Sequence, residues 1–386
     1  MQPVENQIPG SALRVLASTR EKPATQKQHF HTIDALRGIA ALSVAWFHFT
    51  NAEFTEQFGA YRSSGAYGFL GVEVFFVISG FIIPFALYQA RYRVQSFFRF
   101  FLRRIVRLDP PYLASIAMVL FTLWFSGTLP GRHPYHIAWG QVLAHLGYVN
   151  AFIGMSWLQM TYWSLAVEFQ YYVFVGLLFP LIALRDRIAT PLILALFGAI
   201  TWAGGGNVAF LPHYLPLFAI GILAFRRVSL KAPVLDTAAG LAASTVMAWV
   251  VNGVPEAIAA AAAAAIILWL EIDLPVLSFL GEISYSVYLM HVFVGNVVFG
   301  TASRYAARLG PAAKWYVPFV ALALTLGVSY LLNRIVEQPS RRLAARISYN
   351  PKPAADSAVG VAAAPPQQEI REHEAIPVHN VAPVER

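Results

Sequence analysis

Between residues 33 and 336 the chain repeatedly runs for a bilayer's width with almost no charge, and that leaves few folds open. Ten such segments can be counted, at 33–51, 69–90, 111–127, 163–184, 190–203, 209–225, 234–251, 254–271, 276–299 and 316–336. A hydrocarbon layer about 30 Å thick takes a helix of about 20 apolar residues, since a helix satisfies its own backbone groups there. The chain therefore reads as an all-α, polytopic membrane protein with about ten transmembrane helices. Composition agrees: of 386 residues 57% are hydrophobic and 12% charged, too few charges for a soluble domain. The run "HIAWGQVLAHLGYVNAFIG", 136–154, is amphipathic and reads as re-entrant or interfacial.

Polar segments flank this core. Residues 1–32 form a mixed-charge tail with no apolar stretch of signal-peptide length, so no cleavage is expected. Residues 343–386, rich in Pro and Ala, are expected to be disordered, which leaves 33–342 as the membrane domain. The net charge of +8 suggests nucleic acid at first sight, but the basic residues fall between apolar segments. With the amino terminus inside, loops on that side carry eleven Lys and Arg against five opposite. The positive-inside rule then puts both termini in the cytoplasm, and no nucleic-acid partner is expected. The chain has no cysteine, which rules out disulfides, a thiolate nucleophile and Cys-ligated metal. No internal repeat of the kind common in transporters is visible.

Ionisable groups inside spans are costly and point to function. In "RGIAALSVAWFH", Arg37 and His48 stand eleven residues apart, hence on one helix face and about 16 Å apart along the axis. On this topology Arg37 lies near the cytoplasmic end. His48, Glu73, Glu168 and His291 all fall in the outer half, which predicts a polar cavity opening outward. A carboxylate beside an imidazole fixes its tautomer and raises its basicity, as a general base requires. The plainer alternative is that each group satisfies a local hydrogen bond between packed helices. No motif such as His-Glu-x-x-His accompanies them, so no metal is assigned.

On the inner side, "RFFLRRIVRLDPPYL" carries Arg99, Arg103, Arg104 and Arg107, followed by Pro110 and Pro111 at the start of the third span. Arg103 and Arg107 are one turn apart with Arg104 beside them, a fork suited to phosphates or to lipid headgroups. In "NRIVEQPSRR", Glu337 is spaced to pair with Arg341. Asp34 and Arg37 read equally well as a cap and its ion pair. Ser79 and Ser164 read as packing or capping residues. Tyr61, Tyr67, Trp157, Tyr162 and Trp163 near the outer face suit either sugar stacking or an interfacial belt.

Taken together these motifs resemble the acyltransferase 3 family of bacterial integral-membrane acyltransferases. "IDALRGIAALSVAWFH" is similar to the family's first helix, "GVEVFFVISGFII" to its second, "RRIVRLDPPY" to the Arg-rich entry to its third and "WSLAVEFQYY" to its Trp-Ser-Leu segment. "GEISYSVYLMH" and "EQPSRR" are similar to its last two motifs, and the likeness runs in order over residues 33 to 342. The resemblance implies transfer of an acyl group, often acetyl, from cytoplasmic acyl-CoA to a carbohydrate hydroxyl at or beyond the outer face. It implies His48 as the essential histidine, with Glu73 and Glu168 as acidic positions that orient it. It implies Arg37, Arg103, Arg104 and Arg107 on the substrate side, joined by His291 of the later motif. Where Asp109 stands here, the family often has an apolar or aromatic residue. Acyl-CoA is expected as donor substrate, with no bound cofactor, and membrane lipid as the surroundings, in the bacterial inner membrane. The tail of about 40 residues is too short for the hydrolase-like domain that many relatives append. The competing readings are a transporter or flippase that uses the same His and Glu residues as a proton relay, and a lipid-binding structural protein.

Overall fold

The computed structural model describes residues 24–51 (side chains from 31), 59–128, 137–310 and 312–349. Of the tails expected at 1–32 and 343–386, residues 1–23 and 350–386 lie outside the described residues, whereas 24–32 already belong to α1 and 343–345 to α14. The helices follow in the order α1 (Ala24–Thr50), α2 (Gly59–Gly65), α3 (Gly71–Gln89), α4 (Phe97–Gly127), α5 (Trp139–Leu146), α6 (Tyr162–Ile182), α7 (Ala189–Gly204) and α8 (Leu211–Leu230). Then come α9 (Val234–Val251), α10 (Val254–Trp269), α11 (Pro275–Arg304), α12 (Ala306–Leu309), α13 (Ala313–Leu332) and α14 (Gln338–Ala345). No strand occurs among the described residues. Each of the ten segments expected to span is occupied by a helix.

By length and composition, six helical runs are able to cross a membrane: Gly59–Gln89, Val94–Gly127, Tyr162–Ile182, Val234–Val251, Pro275–Arg304 and Ala313–Ala345. α7 and α10 are apolar but shorter, at 16 residues each. α8 carries Arg226 and Arg227 in its last turns, yet fifteen of its twenty residues are buried. A helix surrounded by other helices can carry polar groups because protein, not lipid, meets them. Arg226 shows how: it is only 2% exposed, and its guanidinium donates to the carbonyls of Ile182 and Leu184 at 2.7 Å each. A charge counted in the sequence as a topology signal thus closes the carboxyl end of α6, whose last carbonyls have no helical partner.

α1 lies between α3 and α11. Contacts along α1 and α11 climb together, from Gly38 against Leu280 to Phe49 against Gly295, so the two helices run parallel. α3 runs the other way, with Gly68 against Ser43 and Gly71 against Ala40. Glycine is what permits these approaches: a Cβ on Gly281 would collide with the Asp34 carbonyl, and one on Gly221 with that of Val77. α8 packs along α3 through that second contact.

Three local expectations change. Residues 91–110 are not a loop, for α4 starts at Phe97 and continues through Pro110 and Pro111. These prolines lack the amides that would bond Val106 and Arg107; the adjacent Leu108 carbonyl accepts the Tyr285 hydroxyl at 2.9 Å. Asp34 is no cap, since α1 begins ten residues earlier. Tyr162 is no belt residue, being wholly buried between Ser115 and Gln159. The amphipathic run holds α5, whose Trp139, Leu143 and Leu146 are exposed while His145 is buried, a pattern suited to lying along an interface.

Candidate active site

One face of α3, formed by Val72, Phe75, Ser79, Ile82 and Ala86, lines a cavity of about 130 Å³. These residues follow the helical period, and fourteen residues of rise make the stripe about 21 Å long. α4 adds Arg104, Arg107 and Leu108, α6 adds Ser164 and Glu168, and α11 adds Tyr285 and Tyr288. Arg37 of α1 and Glu337 close the wall at the Ala86 end. There Arg37, Ile82, Ala86 and Arg107 are shared with a wider vestibule of about 890 Å³, which also holds Asp34, Gln89, Asp273, Glu282 and Arg341. A small branch beside Arg104 and Glu168 reaches Asp109, whose carboxylate accepts the Tyr148 hydroxyl at 3.0 Å.

The cavity is strongly polar at its vestibule end. Arg104 is buried, its guanidinium lies against the faces of Phe100 and Tyr172, and its Nε has no partner among the described residues. Arg37 donates through Nε to the Ser284 hydroxyl at 3.3 Å, not to Asp34. Glu337 sits on a single π-turn, Asn333–Glu337, between α13 and α14. It accepts from Ser286 at 2.6 Å and Asn333 at 3.0 Å and pairs with Arg341 at 2.6 Å. The extra residue of a π-turn re-aims side chains, which is why such turns gather at functional sites; here it directs a carboxylate into the cavity.

The predicted residues divide into two groups. His48 and His291 come together, with ring centroids 5.2 Å apart. Glu168 does not join them: it accepts from Ser79 at 2.8 Å and lies with Arg37, Arg104 and Arg107 in the cavity wall. Glu73, in the first turn of α3, is buried with Oε2 unpartnered among the described residues. Neither carboxylate hydrogen-bonds His48, so the cluster of two His and two Glu at one depth does not form. Arg103 also goes elsewhere, stacking on Tyr349 at 4.8 Å and donating to the Ile347 carbonyl at 3.4 Å. The physical reason is the helix itself: adjacent arginines on α4 point about 100° apart, and only one can face the cavity.

Several contributors were read otherwise or missed. Ser79 and Ser164 are not only packing residues, since both line the cavity and Ser164 hydrogen-bonds the Tyr288 hydroxyl. Tyr288 also donates to the Thr161 carbonyl at 3.2 Å, while Phe75 meets its ring edge-on at 5.9 Å. This Phe75–Tyr288 pair stands between the cavity and His291, whose ring centroid is 5.7 Å from that of Tyr288. The available signal was the period of "SYSVYLMH", which places Ser284, Tyr288 and His291 on one face of α11.

A family model described as an acyltransferase domain, that of acyltransferase 3, matches residues 30–334. The O-acetyltransferase OatA of Staphylococcus aureus is 35% identical over 161 residues, 39% of this chain and 24% of that protein. The peptidoglycan O-acetyltransferase OatA of Listeria monocytogenes is 28% identical over 158 residues, 38% of this chain and 24% of that protein. The chain thus spans about a quarter of the length of these two relatives. The acyltransferase MdmB of Streptomyces mycarofaciens is 27% identical over 380 residues, 85% of this chain and 96% of that protein. No solved structure matches. The family match takes in both histidines and every cavity and vestibule residue named above except Glu337 and Arg341, which lie beyond it: the chain belongs to the acyltransferase 3 family.

Proposed function

We propose that the protein moves an acyl group, acetyl in the simplest case, from cytoplasmic acyl-CoA to a hydroxyl of a cell-envelope carbohydrate. It would do so in the bacterial inner membrane, through ten spans with both termini in the cytoplasm. The observation that carries this reading is the cavity's polarity: arginines at the vestibule end, an apolar stripe along α3, and a far end one helical turn from the histidine pair. CoA has the matching order of parts, with phosphates first, then a long arm, then the thioester. The names of the OatA relatives, O-acetyltransferases one of which acts on peptidoglycan, support a carbohydrate hydroxyl as acceptor.

In this reading the nucleotide end of the donor occupies the vestibule and its phosphates meet Arg37, Arg107 and the unpartnered Nε of Arg104. Glu168, tied to Ser79, offsets their charge in a low-dielectric wall. The arm lies along Ile82, Ser79 and Phe75, and the acyl end passes the Phe75–Tyr288 pair. His48 takes the proton of the acceptor hydroxyl as its oxygen adds to the thioester carbonyl. The adduct then collapses, the carbon–sulfur bond breaks, and the CoA sulfur leaves with the proton returned by His48. Binding both partners in one bundle supplies the proximity that such a transfer needs.

The test is release of free CoA from acetyl-CoA by the detergent-purified full chain with a panel of cell-envelope sugars, wild type beside His48→Ala. Release by wild type and its loss in the variant is the expected result. CoA release that survives His48→Ala would overturn the role of His48, and a wild type unable to bind acetyl-CoA would overturn the donor.

A further inference from the structure

His291 is 0% exposed on α11. Its Nδ1 lies 3.1 Å from the carbonyl oxygen of Val287, one turn earlier. A carbonyl only accepts, so Nδ1 holds the ring hydrogen and Nε2 of the neutral imidazole carries the lone pair. That Nε2 is buried without a partner among the described residues. On one side of the ring stands Tyr288, its hydroxyl already engaged by Ser164 and the Thr161 carbonyl. On the other stands His48, 5.2 Å between centroids with the planes inclined by 37°. Buried acceptors are rarely left alone, and His48 is the adjacent side chain with an N–H to offer.

We infer that His291 is a positioning residue for His48: its Nε2 accepts the N–H of one His48 nitrogen, leaving the lone pair of the other free for the acceptor hydroxyl. The inference rests on the reading of His48 as the base. At this centroid separation, facing nitrogens of the two rings come within hydrogen-bond reach, about 3 Å. The two rings are not hydrogen-bonded as they stand, and a turn of His48 about its last side-chain bond, a broad torsion in histidine, brings its N–H onto Nε2. The partner usually expected for such a task is a carboxylate, but Glu168 is bonded to Ser79 and neither glutamate bonds His48. A neutral imidazole performs the same orientation without a second ion in the bundle. When His48 takes the proton, its bond to His291 becomes charge-assisted and strengthens. The contact then favours the transition state over the ground state, which raises kcat rather than lowering KM.

The experiment measures kcat and KM for CoA release from acetyl-CoA, with muramidase-digested peptidoglycan as acceptor, for the full chain in detergent. Wild type, His48→Ala, His291→Leu and His291→Gln are compared. His291→Leu, which keeps the bulk and loses the acceptor, is expected to lower kcat about a hundredfold with KM for acetyl-CoA within about twofold. His291→Gln, whose amide oxygen replaces Nε2 as acceptor, is expected to return to within about tenfold of wild type. A leucine variant with near-normal kcat, a change confined to KM, or a glutamine variant no better than leucine would overturn the inference. If the leucine variant does not elute as a folded species, the glutamine variant decides alone, and a loss beyond about tenfold overturns it. Failure of the wild type to bind acetyl-CoA, or activity that survives His48→Ala, overturns the reading on which this inference rests and the inference with it. Those outcomes are distinct from a failure of the His291 variants alone.

Discussion

Arg103 and Arg104 are neighbours of the same chemistry with different surroundings, and kinetics should separate them. Arg104 is buried in the cavity wall with a donor to spare, whereas Arg103 leans on Tyr349 and the Ile347 carbonyl. A hydrogen bond to a charged group is worth about 1.5–3 kcal/mol, so Arg104→Gln should raise KM for acetyl-CoA about tenfold or more. Arg103→Gln should leave KM within about twofold; steady-state kinetics of the two variants checks both, and equal effects would remove Arg104 from the donor site. The sequence could not choose between them, because Arg107 sits one turn from Arg103 by the i, i+4 spacing and from Arg104 by i, i+3. What chose was the carboxyl-terminal stretch after α14, which covers Arg103. Ser79 teaches the same lesson: a serine in an apolar helix reads as packing until Glu168, on α6, arrives opposite it.

Helical stripes were legible wherever a face repeats at the 3.6 period, as along α3 from Val72 to Ala86. The segment after α4 was not, because its order comes from one buried side chain. His145 accepts the Leu158 amide through Nε2 at 3.1 Å and donates through Nδ1 to the Gln141 carbonyl at 2.7 Å. It thereby ties α5 to the strandless stretch that leads into α6. Burial lowers its pKa below the ordinary value, so over the intervening pH range the unfolded chain binds the proton more readily than the folded one. The stability it contributes is therefore present above about pH 6.5 and lost as pH falls below it. Hydrogen exchange of residues 139–160, corrected for intrinsic rates, should quicken at pH 5 relative to pH 7.5, and His145→Gln should flatten that difference. Protection independent of pH in the wild type would remove His145 as the tie.

The whole molecule yields a test of orientation, since the chain has no cysteine of its own. Tyr67 and Asp273 are both exposed and fall on opposite faces if the positive-inside assignment holds. In intact cells an impermeant maleimide should label Tyr67→Cys, and should reach Asp273→Cys only after permeabilisation; the reverse pattern would put both termini outside. A helix stands at each of the ten expected segments, and six helical runs are long and apolar enough to cross a membrane. The all-helical architecture was legible in the sequence alone, since an apolar run has no other way to satisfy its backbone in lipid. So was the pairing of Glu337 with Arg341, which needs only one helical turn. Tertiary structure alone decided that Glu168 joins the arginines, that His48 meets His291 and that Arg226 closes α6. These partners come from helices far apart in the chain, brought together by glycine contacts whose register no local periodicity encodes. A buried polar group takes the partner that packing presents to it, and packing belongs to the whole bundle.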